Sequence, residues 1–314
     1  AWVLALVFLA AALPRLWRFE AVGEGTDEAY SITATRAILD GRFSYRDFDD
    51  FAVDAYQAKF CPVAEAVAAP FVAGLGDRPL AFRLPAFLAS LALGALLVRF
   101  TARRFGATAA WATAAFWALD YRGVVYAQTH RYVALEQLLA FLLFLAVDRA
   151  DRRRSAGSAL VVVVTGLLLF HTHLLAVLTL GALGLGSLVD AWKARGRPRR
   201  PPTSLASFAY LIVHTVLVLA LFRVVGLQRF FASEGGLEAV KRAVLSTVRM
   251  VAGQGVVAAP LGILGALALL RLGGRTNRAL AFAALVPLVA FAVGSLRLGL
   301  APRYVLTAQP FLFV

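Results

Sequence analysis

Long apolar runs separated by short arginine-rich breaks constrain this chain more than any other feature of its sequence. The runs are about 15 to 22 residues long, the length of an α-helix that crosses a membrane. Hydrophobic residues make up 61% of the 314 residues and the mean hydropathy is +0.75, which is more apolar surface than a soluble domain buries. The sequence therefore predicts an all-α, polytopic transmembrane helical bundle over residues 1–314, with the lipid bilayer as its surroundings.

The formal net charge of +14 is distributed in a way that favours membrane anchoring over nucleic-acid binding. Many of the arginines occupy short breaks between apolar runs, where the positive-inside rule places them in the cytoplasm as anchors. We predict no nucleic-acid partner. The four breaks that set this orientation are Arg99/Arg103/Arg104, Arg149/Arg152/Arg153/Arg154, Lys193/Arg195/Arg197/Arg199/Arg200 and Arg271/Arg275/Arg278.

If all four breaks lie on the cytoplasmic side of the membrane, the chain must cross the membrane an even number of times between successive breaks. The segment Pro62–Leu75 is short and carries Glu65, so we predict a re-entrant or surface-lying outer helix there, and a crossing at Leu80–Phe100. This gives a cytoplasmic N-terminus and about nine spans with part of a tenth. The later predicted spans are 107–125, 132–148, 159–171, 173–190, 205–225, about 250–270, about 279–296 and a run from Tyr304.

We expect the chain to be truncated at its C-terminus, because it stops inside an apolar run. The alanine- and arginine-rich, lysine-poor composition suggests a bacterial source, and hence a multi-pass protein of the bacterial inner or plasma membrane. Cys61 is the only cysteine, which excludes a disulfide framework and a cysteine-based metal site.

The polar loop over residues 18–77 is where we expect chemistry, on the periplasmic or exterior face of the membrane. It contains eleven of the chain's 18 carboxylates. We predict a helix of about 13 residues from Thr26 to Asp40-Gly41, lying along the membrane surface. On spacing alone, helix capping by Thr26, with Asp27 and Glu28 in the first turn, is favoured over a catalytic role for this motif. The eleven are Glu20, Glu24, Asp27, Glu28, Asp40, Asp47, Asp49, Asp50, Asp54, Glu65 and Asp77.

The predicted orientation gathers further polar groups at the outer face. Arg131 and Arg303 suit either an interfacial anchor or a phosphate ligand. The pair His171 and His173 suits helix-end hydrogen bonding as well as a metal. The acidic cluster Asp47–Asp54 has no spacing typical of a cation loop, so a solvated surface is favoured there, and a divalent metal remains an open alternative. The stretches expected at this face are the acidic loop, Tyr126–Arg131, His171–His173, Gln228–Arg249 and Arg297–Tyr304.

Two carboxylates, Asp120 and Glu136, fall inside apolar runs. Carboxylates at membrane depth are functional candidates because burying them in hydrocarbon is costly.

Short motifs along the chain, in this order, resemble a known family. The sequence is similar to the GT-C membrane glycosyltransferases, and most of all to the family 39 or protein mannosyltransferase-like group, which includes the lipid A aminoarabinose transferases. No single motif is specific; their common order carries the resemblance. The matching segments are Asp27–Tyr30 after an apolar span, Leu80–Ala86 ("alRLPS"), Arg103–Gly106, Tyr126–Gln128 with Arg131 ("YsQeaR"), Thr172–His173 ("TH") and Arg303–Leu306 with Pro310 ("RYll…P").

The resemblance implies that a sugar moves from a polyprenyl-phosphate donor to an acceptor hydroxyl at the outer face, in the bacterial cell envelope. The acceptor is a protein, lipid or glycan that the sequence does not identify. By resemblance Asp27 is the catalytic base, and Glu28 orients it or joins a metal site. The residues expected to bind substrate are Tyr30, Lys59, Gln128, His130, Arg131, His173, Arg303 and Tyr304.

The chain departs from the family pattern at two places. Relatives carry a "(H/K)PPLyY" segment where this sequence has Lys59-Phe60-Cys61-Pro62, and the acid of "QeaR" is Thr129 here. Both changes affect acceptor binding and any metal site. The alternative function is a lipid or anionic-solute transporter or flippase, which also needs outward-facing polar groups, although no inverted repeat of the kind found in transporters is visible.

Overall fold

The computed structural model describes residues 2–17, 19, 26–41, 61–193, 203–221, 258–295 and 308–314. Within these ranges the fold is all-α, as predicted, and it contains no strand. A 3₁₀ turn at Leu174–Ala176 precedes the ninth helix. The helices are α1 (Trp2–Leu16), α2 (Thr26–Leu39), α3 (Val63–Leu75), α4 (Pro79–Phe105), α5 (Ala107–Leu119), α6 (Tyr121–Ala127), α7 (Val133–Arg153), α8 (Ala156–Phe170), α9 (Val177–Lys193), α10 (Thr203–Leu221), α11 (Ala258–Leu272), α12 (Arg275–Ser295) and α13 (Gln309–Leu312).

The predicted helix after the first apolar run is present as α2, which has 14 residues. It ends where expected, because Gly41 has a φ of 65°, in the left-handed region that glycine adopts without strain. Thr26 lies inside α2, in its first turn. The short helix predicted over Pro62–Leu75 is also present, as α3.

The predicted continuous span 107–125 is wrong, because the chain breaks at Asp120 into α5 and α6. The Asp120 side chain accepts a hydrogen bond from the backbone N–H of Gly123 at 2.9 Å and so caps the N-terminus of α6. A capping carboxylate starts a new helix, which is why an acidic residue stands inside this apolar run.

One described helix, α4, is long and apolar enough to cross a membrane by length and composition, with a mean hydropathy of 1.9 over its best window. Several other described helices are apolar but shorter than this criterion requires. They are α3, α5, α8 and parts of α10 and α11.

The chain divides into two compact units. The first unit comprises Ala1–Leu138, His171–Leu174 and Phe313–Val314, and the second comprises Leu139–Phe170 and Leu175–Leu312. The boundary falls inside α7, after Leu138.

In the first unit, α2, α3 and α4 share an apolar cluster formed by Ile32, Val72, Ala81 and Phe82. Burial of these side chains holds the two short helices of the first loop against α4. The middle of α2 is therefore attached to α4.

Helices α1, α4 and α5 of the first unit meet around the indole of Trp117. Phe8 stacks on this ring with centroids 4.9 Å apart, and the guanidinium of Arg15 lies 3.9 Å from the ring centroid. Gly94 of α4 faces the same ring so closely that a Cβ there would lie 2.5 Å from it. Glycine is thus required for the approach of α4 to α5.

In the second unit, ion pairs and hydrogen bonds join the polar ends of four helices. Asp151 of α7 accepts hydrogen bonds from the backbone N–H of Ser204 at 2.9 Å and from its hydroxyl at 2.8 Å. Arg275 forms ion pairs with Asp151 and Asp190, and Arg278 pairs with Asp190. The prediction that these arginines serve only as anchors is incomplete, since they also join α12 to α7 and α9.

Replacing Gly94 by alanine is expected to destabilise the protein. The new methyl group must displace the buried Trp117 ring, at a cost of about 1–3 kcal/mol for an overpacked core. Thermal unfolding of the detergent-purified chain, followed by tryptophan fluorescence, measures the change.

Gly74→Ala in α3 is the matched control, because a Cβ there meets nothing within 4 Å. It should leave stability unchanged or raise it by up to about 1 kcal/mol. Equal unfolding temperatures for the Gly94 and Gly74 variants would contradict the close approach of α4 to α5.

Candidate functional site

The first turn of α2 is the centre of the predicted site, and the structure describes part of it. The backbone of Asp27 belongs to α2, but its side chain lies outside the described residues. Lys59, Arg303 and Tyr304, predicted to bind substrate, also lie outside them.

Glu28 forms a buried ion pair with Arg83 of α4. The guanidinium donates from Nε to Oε1 at 2.8 Å and from Nη2 to Oε2 at 2.9 Å. Its Nη1 donates to the carbonyl oxygen of Phe19 at 2.7 Å. Two parallel bonds between a guanidinium and a carboxylate fix both orientation and distance. The pair therefore ties α2 to α4 at the turn that contains Asp27.

The same carboxylate also holds the segment between α6 and α7. Oε1 of Glu28 accepts a hydrogen bond from the backbone N–H of His130 at 2.7 Å. Both oxygens of Glu28 are thus engaged by donors. A carboxylate used in this way is suited to positioning rather than to accepting a proton from a substrate.

The imidazole of His130 is buried and bonded within the protein. Its Nε2 lies 2.8 Å from the hydroxyl of Thr35, which also lies 2.8 Å from the carbonyl oxygen of Ser31. Since the threonine has one hydroxyl hydrogen, which it donates to that carbonyl, we assign the imidazole hydrogen to Nε2. Burial lowers the pKa of His130 to about 4, so the ring is neutral at pH 7.

Glu65 of α3 is a second buried carboxyl beside α2. Burial raises its pKa to about 7, against a hydrogen bond from the Ser31 side chain and the nearby charge of Arg131, which lower it. Its Oε2 is buried and has no hydrogen-bond partner among the described residues. A carboxyl that titrates near neutral pH is suited to exchanging a proton, in contrast to Glu28.

Glu136 and His173 form a third buried polar group in the first unit. Oε1 of Glu136 lies 3.2 Å from Nδ1 of His173, and the imidazole stacks on the ring of Tyr132 with centroids 4.1 Å apart. Close by in sequence, the carbonyl of His171 accepts a hydrogen bond from the N–H of Val63 at 3.3 Å. The segment 171–173 is therefore fixed to α3 and to the first turn of α7.

The remaining predicted residues have different surroundings. Gln128 donates from Nε2 to the carbonyl oxygens of Pro14 and Trp17, each at 2.8 Å, and so caps the end of α1. Arg131 is half-buried, with its guanidinium 5.2 Å from the centroid of the Tyr132 ring. Tyr30 is half-buried on α2.

Three of the stretches expected at the outer face thus come together in the first unit: the start of α2, residues 128–132 and residues 171–173. The stretches Gln228–Arg249 and Arg297–Tyr304 lie outside the described residues.

Sequence reasoning did not assign roles to Arg83, Thr35 or Glu65. Arg83 was visible only as a cation inside an apolar helix and as part of the family-like segment Leu80–Ala86. Glu65 gave a similar signal, an acid within a short apolar helix. In both cases the partner is distant in sequence, and no local pattern identifies it.

The described residues contain no group of three or more His, Cys, Asp or Glu side chains that could hold a metal ion. The acidic residues Asp47–Asp54, considered above as cation ligands, lie outside the described part of the chain. We therefore derive no step through a metal.

No family model, no curated protein and no solved structure matches this chain.

Glu28→Gln is expected to destabilise the protein strongly. The variant leaves the guanidinium of Arg83 buried without its charge partner, which costs about 3–5 kcal/mol for a broken buried pair. Thermal unfolding in detergent measures the loss.

Asp77→Asn provides the matched control, because Asp77 and Arg36 form a similar two-bond pair with both side chains about half exposed, at 53% and 52%. An exposed pair contributes about 0–1 kcal/mol. If the Glu28 and Asp77 variants lose the same stability, the buried pair does not have the role described here.

The pH dependence of stability should reveal the two shifted groups. The folded-state pKa of Glu65 is raised, so its contribution is fully present below about pH 4.5 and is lost as the pH rises to about 7. The lost amount is on the order of 3 kcal/mol. Glu65→Gln should remove this loss, so the variant gains stability relative to wild type between pH 5 and pH 7.5.

His130 has the opposite sign. Its folded-state pKa is lowered, so its contribution is present above about pH 6.5 and is lost as the pH falls towards 4. The His130→Gln variant should therefore be less stable than wild type at neutral pH, and this difference should become smaller as the pH falls towards 4. Parallel pH profiles for wild type and both variants in chemical unfolding would show that neither group is buried as described.

Proposed function

We propose that this chain is a membrane glycosyltransferase of the GT-C type, which moves a sugar from a polyprenyl-phosphate donor to an acceptor hydroxyl. The site is placed on the outer face of a bacterial inner or plasma membrane, in a polytopic helical bundle. The observation that carries the proposal is the buried Glu28–Arg83 pair, because Glu28 also bonds to the His130 N–H and so fixes the turn that contains Asp27. The order of the sequence motifs, which resembles this family, supports the same proposal.

The chemistry needs one base and one source of positive charge. The acceptor oxygen forms a bond to the anomeric carbon of the sugar as the bond from that carbon to the phosphate oxygen breaks. The acceptor proton passes to a carboxylate, which we assign to Asp27. Polyprenyl phosphate leaves as an anion, so it needs neutralisation by a cation and no proton. A single displacement inverts the configuration at the anomeric carbon.

Arginine side chains are the proposed partners of the donor phosphate. Arg131 is half-buried and directly follows His130, whose backbone N–H bonds to Glu28, and Arg303 is assigned the same role by resemblance. Lys59 is a further substrate-binding residue expected by resemblance. His130 is neutral at pH 7 and bonded to Thr35, so we assign it a positioning role. Tyr30, Gln128, His173 and Tyr304 complete the proposed binding region.

Glu28 and Glu65 have separate proposed roles. Glu28 is a positioning residue, since its oxygens are occupied by Arg83 and by the His130 N–H. Glu65 titrates near neutrality beside Ser31 and Arg131, which makes it a suitable second acceptor for the proton that Asp27 removes.

Asp27→Asn is expected to lower sugar transfer at least about a hundredfold, the usual loss when a general base is removed. Polyprenyl-phosphate sugar that co-purifies with the protein, identified by mass spectrometry, supplies the donor. Release of polyprenyl phosphate from this donor, with cell-envelope extract as acceptor, is the measurement.

Asp40→Asn is the matched control, since Asp40 lies exposed just beyond the other end of α2. It should retain transfer close to the wild-type rate. Normal transfer by folded Asp27→Asn protein would overturn the assignment of the base. Lipid or anion transport in vesicles without sugar transfer would favour the flippase or transporter instead.

A further inference from the structure

A cationic cavity in the second unit contains none of the residues assigned above to the candidate site. It has a volume of about 450 Å³ and is formed where α7 ends and α8 begins. Its lining consists of Ala146, Arg149, Arg153, Ser155, Gly157, Ser158 and Val161.

The two arginines are placed to act together. Arg149 and Arg153 are one turn apart on α7, so their side chains share a face of the helix. In the described part of the chain neither guanidinium has an ion-pair or hydrogen-bond partner. The carboxylates nearby in sequence are engaged elsewhere, Asp148 by Arg152 and Thr276, and Asp151 by Ser204 and Arg275. The charge in the cavity is therefore not neutralised by these carboxylates.

The turn between α7 and α8 adds polar groups to the cavity. Arg154 has a φ of 51°, an uncommon backbone conformation for a residue with a side chain, and it lies in the two-residue link between α7 and α8. Ser155 and Ser158 cap the start of α8, with their hydroxyl oxygens 3.0 Å apart. The turn brings these hydroxyls to the same cavity as the two guanidiniums.

An apolar stripe leads away from the cationic end. Val161, which lines the cavity, is 52% exposed, and Val164 and Leu168 are 46% and 42% exposed on the same face of α8. A free phosphate ion has no hydrocarbon part that could contact this stripe. A molecule with an anionic head and hydrocarbon chains matches both parts.

We propose that this cavity binds the phosphate group of an anionic phospholipid, with Arg149 and Arg153 contacting the phosphate and the acyl chains lying along α8. A guanidinium suits phosphate because its planar donors match the phosphate oxygens. The site rests on the membrane placement proposed above but not on sugar transfer. The proposal also assigns a specific ligand to Arg149 and Arg153 of the second basic break, in addition to the general anchoring role predicted for them.

The test compares ligands that separate the head from the chains. Dioleoyl-phosphatidylglycerol, glycerol 3-phosphate and dioleoylglycerol are each added to the detergent-purified full chain, and binding is followed by native mass spectrometry and by the unfolding temperature. Only phosphatidylglycerol should bind and stabilise strongly. Equal binding of glycerol 3-phosphate would overturn the lipid assignment, and equal binding of dioleoylglycerol would overturn the phosphate contact.

Two independent variants should remove the site. Arg149→Gln with Arg153→Gln is expected to weaken phosphatidylglycerol binding at least about tenfold, since charged hydrogen bonds to phosphate are lost. Gly157→Phe should have the same effect by filling the cavity, because a Cβ at Gly157 meets nothing within 4 Å and the ring projects into open space.

Matched controls remove the same charge and add the same ring elsewhere. Arg99 and Arg103 are exposed and also one turn apart, on α4, so Arg99→Gln with Arg103→Gln should retain binding. Gly181→Phe should do so as well, because Gly181 is equally open. Absence of binding to wild type, or the same loss in a control as in its matched variant, would overturn the proposal.

Discussion

The buried ion pair between Glu28 and Arg83 is the interaction on which the rest of the first unit depends. Each charge taken from water costs several kcal/mol, which only close pairing and further hydrogen bonds offset. Here Arg83 also reaches the Phe19 carbonyl, and Glu28 also holds the His130 N–H. Three chain segments far apart in sequence must therefore come together for either charge to be buried. The first turn of α2 is fixed by this requirement.

The second unit uses a related arrangement, with Asp151 and Asp190 joined to Arg275 and Arg278 at the ends of three helices. In both units apolar side chains such as Leu119 and Leu160 remain exposed, so apolar burial by itself does not choose between helix partners. In the membrane proposed for this chain, hydrocarbon would surround the helices, so polar pairs and close packing would determine which helices associate. The ion pairs thus supply specificity that the apolar sequence lacks.

The sequence was sufficient where local rules decide the structure. Asp40-Gly41 predicts the end of α2, and the long apolar runs predict most of the later helices. It was insufficient where one side chain competes with an apolar run, as at Asp120, whose capping bond to Gly123 divides a predicted span. It also missed Arg83 as the partner of Glu28, because 55 residues separate them and no spacing rule links such positions.

The buried carboxyl groups of the first unit differ in their hydrogen-bond partners, and this difference limits which of them could accept a proton in a reaction. Three donors bond to the carboxylate of Glu28, and these contacts position α2. Glu65 is nearly as buried, but one of its oxygens has no donor among the described residues, and its pKa of about 7 lets it gain or lose a proton at little cost. Both residues are thus buried, but of the two only Glu28 has a guanidinium bonded to it. In a reaction at this site, the Glu28–Arg83 pair would supply the fixed charge and other carboxyl groups would exchange the proton.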